Sequence, residues 1–489
     1  MAPITRRQFI QQTAFTAATL YAYPATALAG GPGRLRGRKE NAVPLDRAAI
    51  RKLASQLRGH VITPNSSDYE SMRQVNNHAY DRHPAVIVRC ASPSDVARAL
   101  DFGQRHSLPL AVRSGGHSAA GYGACDGGMV IDLSGMKRVE VDAPKRLACA
   151  QAGALVGDVD QATQRFGLAT TLGACPTVGI GGLTLGGGMG TLMPKYGAAC
   201  DNVKSAQVVT VDGRQIEANR GSNADLFWAI RGGGGNFGVA TEFEYGLHPA
   251  GEVLAGTLVY PAGPIPELLP ACLKVTEAAP DELNLVAMIV PGQNGPTYVV
   301  LVGYSGRPGA GNDLLKPLRA PHRPLRDTVN VMSYLESQAS GFPPSPKPLS
   351  YFTTSLFLPQ LSEPAIAGIT SATKDAPQKF RVMISCLHGA VTRVPYSDAA
   401  FPLRMKGYDV EVSTYWSAPA EKDSGVRWVE ALRAALQPFS HGMYVNGLSE
   451  PTGELMRAAY GANYARLAEI KKKYDPDNVL RLNPNIMPA

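Results

Sequence analysis

An α+β fold of two or more domains is what the sequence predicts, and three observations predict it. The chain has 489 residues, more than one hydrophobic core usually serves, because single cores stop growing at roughly 250–300 residues. Its first half alternates short apolar runs with helix signals and is crowded with glycine. After about Gly251 the glycine density falls, and longer strand-like runs alternate with amphipathic stretches.

Taken in order, residues 30–45 are rich in Gly, Arg and Pro and read as a linker, so folded structure is expected from Asp46. Ala85 to Arg89 is an apolar strand; Ser92-Pro93 then supplies an N-cap and a first-turn proline for a helix carrying Val96, Leu100 and Phe102. Leu108 to Val112 returns to a strand that stops at Gly115-Gly116. Gln207–Val211 and Arg214–Ala218 flank Asp212-Gly213, a hairpin signal. Ala224–Ile230 reads as a helix leading to a strand at Val239–Tyr245. In the second half, Val253–Tyr260, Leu283–Val290, Thr297–Tyr304, Phe380–Leu387 and Val410–Trp416 are strands, while Ala310–Arg319, Ala365–Lys374 and Ser424–Leu436 are helices. An antiparallel sheet backed by helices follows from that pattern. Thr452 to Lys473 is helical and is stopped by Asp475-Pro476.

Hydrophobic residues make up 44% and charged residues 18% of the chain, and no apolar run approaches the ~20 residues of a membrane span, which argues against both disorder and a membrane span. The formal net charge of +8 is concentrated at the N-terminus: residues 1–29 carry +2 and residues 30–40 carry +3, leaving +3 for everything else. A nucleic-acid partner is therefore not indicated. Residues 1–29 read as a leader: Arg6-Arg7 precedes Phe9, a mildly apolar stretch follows, and Ala27-Leu28-Ala29 suits a signal peptidase. This is the twin-arginine export pattern, and it places the protein in the periplasm or medium of a bacterium. Seven cysteines show no metal-ligand spacing with the nine histidines, so no metal site is expected.

Glycine is in excess, 51 residues or about one in ten against a usual ~7%, and much of it falls in three clusters. These are Arg113-Ser114-Gly115-Gly116-His117-Ser118, the run from Gly173 to Gly190, and Gly232 to Gly235 with Gly238. Residues without side chains let backbone N–H groups approach anionic oxygens, which suggests a phosphate cradle. Gly233-x-Gly235-x-x-Gly238 formally matches the dinucleotide fingerprint, but it runs from helix to strand, the inverse of what that motif requires. No P-loop lysine follows any cluster.

Four motifs together carry a resemblance: Arg113-Ser-Gly-Gly-His117-Ser, Cys175-Pro-Thr-Val-Gly-Ile-Gly-Gly with Gly186-Gly-Gly-Met-Gly190, Tyr444-Val-Asn446, and Tyr460-Gly-Ala-Asn-Tyr-Ala-Arg-Leu with Lys473-Tyr-Asp-Pro. In this order they resemble the berberine bridge enzyme-like family of the vanillyl-alcohol oxidase superfamily, which has a PCMH-type FAD-binding domain of two α/β subdomains. After the leader at 1–29 and the linker at 30–45, the resemblance implies an FAD domain at 46–250, an inserted substrate domain at 251–440, and a segment at 441–489 that completes the FAD domain.

It also implies roles for residues. His117 would bond the flavin 8α-methyl and Cys175 the C6 position. Arg113, Ser114, Gly115, Gly116, Ser118, Val178, Gly181, Gly182, Gly186, Gly187, Val239, Tyr444 and Asn446 would complete the cofactor site. Val178 stands where the family sets the access of oxygen to the flavin. Leu183 and Gly447 depart from the pattern, the first from a histidine and the second from a tyrosine that acts as base or assists one. Counting back seven residues from Trp416 reaches the family's other acid/base position, Asp409, with Tyr408 and Glu411 beside it. Strand alternation puts Asp409 and Glu411 on one face, with Val410 and Val412 on the other. That face either looks into a flavin pocket or is an open, solvated surface; Tyr351 and Tyr415 are further candidates. The expected activity is oxidation of a small alcohol, sugar or amine with O2 as acceptor. A flavin-binding protein without catalysis, and a dehydrogenase using another acceptor, are the alternatives.

Overall fold

The computed structural model describes residues 45–489 except 262, 264, 321 and 342–348. The leader and nearly all of the linker lie outside the described residues. The first helix, Arg47–Gln56, begins where Asp46 accepts a hydrogen bond from the Ala48 N–H. His60–Ile62, Val86–Arg89, Met129–Asp132 and Leu110–Arg113 then form a four-stranded sheet in that order, with the last three strands parallel. The crossover helix Pro93–Arg105 is capped by Ser92, an interaction worth about 1 kcal/mol.

A second, five-stranded antiparallel sheet has the order Val139–Asp142, Leu147–Gln151, Val239–Gly246, Val203–Val209, Gln215–Asn219. The hairpin expected around Asp212-Gly213 forms, but the last paired residues are Val209 and Gln215. Its loop is wider than a two-residue turn because Thr210 and Arg214 close it through one backbone hydrogen bond of 2.9 Å, and Gly213 takes φ +83°.

The third sheet contains eight strands and runs Arg326–Asp327, Glu252–Tyr260, Thr297–Tyr304, Leu283–Val290, Phe380–Leu387, Gly407–Trp416, Ser350–Leu358, with Asn330–Ser333 also paired to Glu252–Tyr260. Every pairing in it is antiparallel. Helices Ile265–Glu277, Glu363–Lys374 and Lys422–Leu436 cover one face, burying Leu268, Ile369 and Val429 against Val382, Val410 and Val412. Four of these elements were not expected, among them the short edge strands Arg326–Asp327 and Asn330–Ser333. Ser350–Leu358 follows a proline-rich stretch and reads weakly as a strand, while Ile265–Glu277 contains Pro270 yet stays helical because Ile265, Leu268, Leu269 and Cys272 form one buried stripe.

Two helices expected to be continuous are broken. The run expected over 310–319 divides at Leu315 into Pro308–Leu314 and Lys316–Arg319. The tail divides into Gly453–Tyr460 and Asn463–Tyr474 at Gly461, whose φ of +49° a helix cannot hold. The tail packs into the core of the first half: Met456, Tyr460, Leu467 and Ile486 join Val88, Ile131, Phe243 and Tyr245. It is pinned by Lys471, a fully buried amine that meets Asp475 at 2.6 Å and donates to the Asn236 and Leu480 carbonyls at 3.0 Å each. Removing either partner would strand a buried charge.

Candidate active site

The uncovered face of the eight-stranded sheet and the glycine-rich first half enclose one large cavity of about 2110 Å³, well above the roughly 300–1,000 Å³ of an ordinary small-ligand pocket. Ser114, Gly115, Gly116, His117, Ser118, Cys175, Val178, Gly181, Gly182, Val239, Tyr444 and Asn446 all border it. The motifs are far apart in sequence, and backbone approach brings them together. A Cβ on Gly115 would stand 2.3 Å from the Gly179 nitrogen, and one on Gly179 only 2.1 Å from the Gly115 nitrogen. Ser114 ties this junction, donating to the Ala152 carbonyl at 2.6 Å and accepting from the Gly181 N–H at 3.3 Å.

Three residues assigned to the site from sequence, Gly186, Gly187 and Tyr408, lie away from the cavity. Gly186 and Gly187 do not border the cavity: Asn446 occupies the space beside the first and the Phe401 ring the space beside the second, so these glycines serve close packing. Arg113 borders the cavity, and its guanidinium meets Asp132 at 2.9 Å and the Met72 carbonyl, a buried pair that holds the loop. Tyr408 lies on the other face of its strand, in the core beneath the helices, because residues alternate across a sheet.

His117 is buried enough that desolvation pushes its imidazole below the usual value, which keeps it neutral. The Cys175 sulfur lies 3.3 Å from the Thr177 hydroxyl. Tyr444 is pushed up to about 12 by burial, and its hydroxyl accepts a hydrogen bond of 2.9 Å from Asn446, whose amide also donates to the Leu183 carbonyl at 3.3 Å. Leu183 thus contributes a backbone oxygen where a histidine was absent.

On the sheet wall, Asp409 is 1% exposed. Burial is the main cause that lifts its carboxyl to about 7; the neighbouring Glu411 adds to the rise and a hydrogen bond from Ser355 opposes it. The Ser355 hydroxyl donates to Asp409 Oδ1 and accepts from the Tyr444 N–H at 2.9 Å. Ser355 therefore joins the sheet to the Tyr444 turn. Glu411 is paired with Arg381 and accepts from Ser413 at 3.2 Å. Tyr351 and Tyr415 stand together at the same wall, with ring centroids 6.0 Å apart.

Gly447, where a tyrosine was absent, explains this packing. A Cβ there would lie 3.1 Å from Ser355 Cβ and 3.7 Å from Glu411 Oε2, so glycine lets the turn press against the Asp409–Ser355 pair without displacing Ser355 by a few tenths of an ångström. Ser355, Arg381 and the tail residue Asn483 were missed from the sequence. Ser355 lies on the unexpected strand, and Arg381 becomes visible as a wall residue only once register sets it opposite Ser413.

The donor set fits a dinucleotide of FAD size. At Gly182 and Gly235, both on the cavity wall, a Cβ would meet nothing within 4 Å, so the backbone there is open to a ligand. Asn483 presents a buried side-chain oxygen with no partner among the described residues at the same wall.

Comparison with known proteins agrees with this geometry. A family model described as an FAD binding domain matches residues 84–219, and one described as berberine and berberine like matches residues 443–487. The FAD-linked oxidoreductase YgaK of Bacillus subtilis is 31% identical over 442 residues, covering 89% of this chain and 98% of the relative. Chitooligosaccharide oxidase of Gibberella zeae is 27% identical, covering 92% and 96%. The crystal structure of 6-hydroxy-D-nicotine oxidase from Arthrobacter nicotinovorans superimposes with a TM-score of 0.82 at 30% identity, covering 88% of this chain and 98% of that one. With its two matched models, its glycine-built cavity and full-length relatives at this identity, the chain belongs to the berberine bridge enzyme-like family of FAD-linked oxidoreductases.

Proposed function

We propose that the protein is an exported FAD-dependent oxidase in which Asp409 is the base and His117 and Cys175 both hold the cofactor. The observation that carries this reading is the placement of a buried carboxylate titrating near neutrality across one cavity from His117 and Cys175. FAD bound in this cavity would supply a hydride acceptor for the substrate carbon and a route for the electrons to O2, giving hydrogen peroxide. Ser355 engages Oδ1 of Asp409, which leaves Oδ2 to take the proton from the substrate hydroxyl or amine. A carboxyl lifted to about 7 is a stronger base than an ordinary aspartate and is still half ionised at neutral pH. Tyr444, held protonated by burial, and Asn446 supply polar contacts at the boundary between the two walls.

His117 suits attachment to the 8α-methyl, since a neutral imidazole has a free lone pair, and Cys175 suits the C6 position. Val178, partly exposed at the cavity, is the residue proposed to admit oxygen. The Arg6-Arg7 leader supports export by the twin-arginine machinery.

Acid precipitation of the purified protein tests the tethers. The yellow colour is expected to stay with the polypeptide, and to remain with single Cys175→Ala or His117→Ala variants, each of which keeps one bond. Flavin released wholly into the supernatant would refute covalent attachment. Peroxide formed per substrate consumed should approach one; a yield near zero with an artificial acceptor still active would indicate a dehydrogenase.

A further inference from the structure

The cavity face of the eight-stranded sheet is sorted by polarity, and the sorting runs across the strands. Register aligns Val259, Val299, Met288 and Met383 in one row that ends at Glu411. The adjacent row runs Thr257, Leu301, Val286, Ser385, Asp409, apolar only in its middle. All of these residues border the cavity. An antiparallel sheet commonly buries one face and leaves the other polar. Here the face under the helices is already apolar, and a second apolar cluster around Met288, Val290 and Val299 occupies the cavity side. Val259, Val286, Leu301 and Met383 remain partly exposed there.

From Met383 to Val259 the apolar row crosses four strands, a span of about 14 Å at the usual spacing between strands. At its polar end Glu411 is paired with Arg381, and Asp409 lies beside that pair on the next row. The two methionines face each other across adjacent inner strands of the sheet, and unbranched thioethers adapt to and favour aromatic rings.

We infer that the substrate is an amphipathic alcohol or amine with a ring-bearing apolar body: the oxidisable carbon lies at Asp409, and the body lies along Met383, Met288 and Val299. This rests on the oxidase reading of the same cavity. An oligosaccharide carries hydroxyls along its whole length, and over this row they would lose water without gaining partners. A fused aromatic body instead buries more apolar surface with each ring.

Calorimetric titration of the FAD-loaded protein with benzyl alcohol, 2-naphthalenemethanol, cellobiose and chitobiose tests this without requiring turnover. The second ring should lower Kd at least about tenfold, with a negative heat-capacity change, and both sugars should bind more weakly than either arylmethanol. Met288→Gln and Met383→Gln, each confirmed to retain FAD and melt cooperatively, should cut the two-ring advantage to below about threefold. Tighter binding of either sugar, a wild-type ratio near one, or a ratio that neither substitution moves would overturn the inference. Anaerobic bleaching of the flavin by the same compounds separates the two readings. A tenfold ring advantage without bleaching by any compound supports the binding assignment and contradicts the oxidase, whereas tight, bleaching sugars contradict the substrate class and support the oxidase.

Discussion

Along the first-half wall of the cavity the contacts come largely from backbone, with Gly115 and Gly179 pressed together and Gly182 and Gly235 open to the interior, whereas along the sheet wall every second residue of several strands presents a side chain. Where its backbones press together, as at Gly115 and Gly179, this wall tolerates almost no added atom, and it is written in contiguous motifs. A wall of side chains tolerates exchange within the fold and changes its chemistry with each exchange. On the proposed reading, the first wall retains the cofactor and the second sets the identity and deprotonation of the substrate.

The largest effect expected from breaking that division is at Asp409. Asp409→Asn should lower the second-order rate of anaerobic flavin reduction by about 10²–10⁴-fold, the range for loss of a general base, and leave the FAD content unchanged. Loss of flavin from this variant would show that the sheet wall also holds the cofactor. On the opposite wall, Gly179→Ala places a Cβ 2.1 Å from a backbone nitrogen. Overpacking of this kind costs about 1–3 kcal/mol, so the variant should melt earlier and purify with less FAD. Full flavin occupancy at an unchanged melting temperature would show that the glycine junction is not a close fit.

A smaller effect sharpens the comparison by separating burial from catalysis. Asp160 is a second buried carboxyl lifted to about 7, again chiefly by desolvation, and Gln338 donates to it at 3.3 Å. It does not border the cavity. Between about pH 4 and 7 the folded protein holds a proton on this group that the unfolded chain has already released, so stability is greatest on the acid side of the window and falls as pH rises through about 7. Asp160→Asn should match the wild-type melting temperature near pH 4, exceed it at pH 8, and leave the pH dependence of flavin reduction unchanged. A shifted rate profile would mean that Asp160 is coupled to the site.

The first wall was legible in sequence because its chemistry is local: His117 and Cys175 lie within glycine runs whose spacing is itself the signal. Even there, sequence could not separate glycines that face a ligand from glycines that face a neighbour. Gly186 and Gly187 look like Gly182 until Asn446 and Phe401 are placed against them. The second wall was legible only along single strands. Alternation put Asp409 and Glu411 together, but the same alternation sends Tyr408 into the core, and nothing in the chain near residue 409 announces Ser355 or Arg381. Those partners depend on which strands lie adjacent, a property of the whole sheet. The breaks at Leu315 and Gly461 escaped for a smaller reason, since apolar periodicity continues across each of them.

The most direct test of the central claim is the pH dependence of anaerobic flavin reduction, followed by stopped flow with the fastest-reducing compound from a panel of alcohols, sugars and amines. With Asp409 as the base, the wild-type rate over Kd should rise about tenfold per pH unit and level off near pH 7, while Asp409→Asn should be slow and lack that rise. An Asp409→Asn protein that keeps both the wild-type rate and the wild-type profile would contradict it.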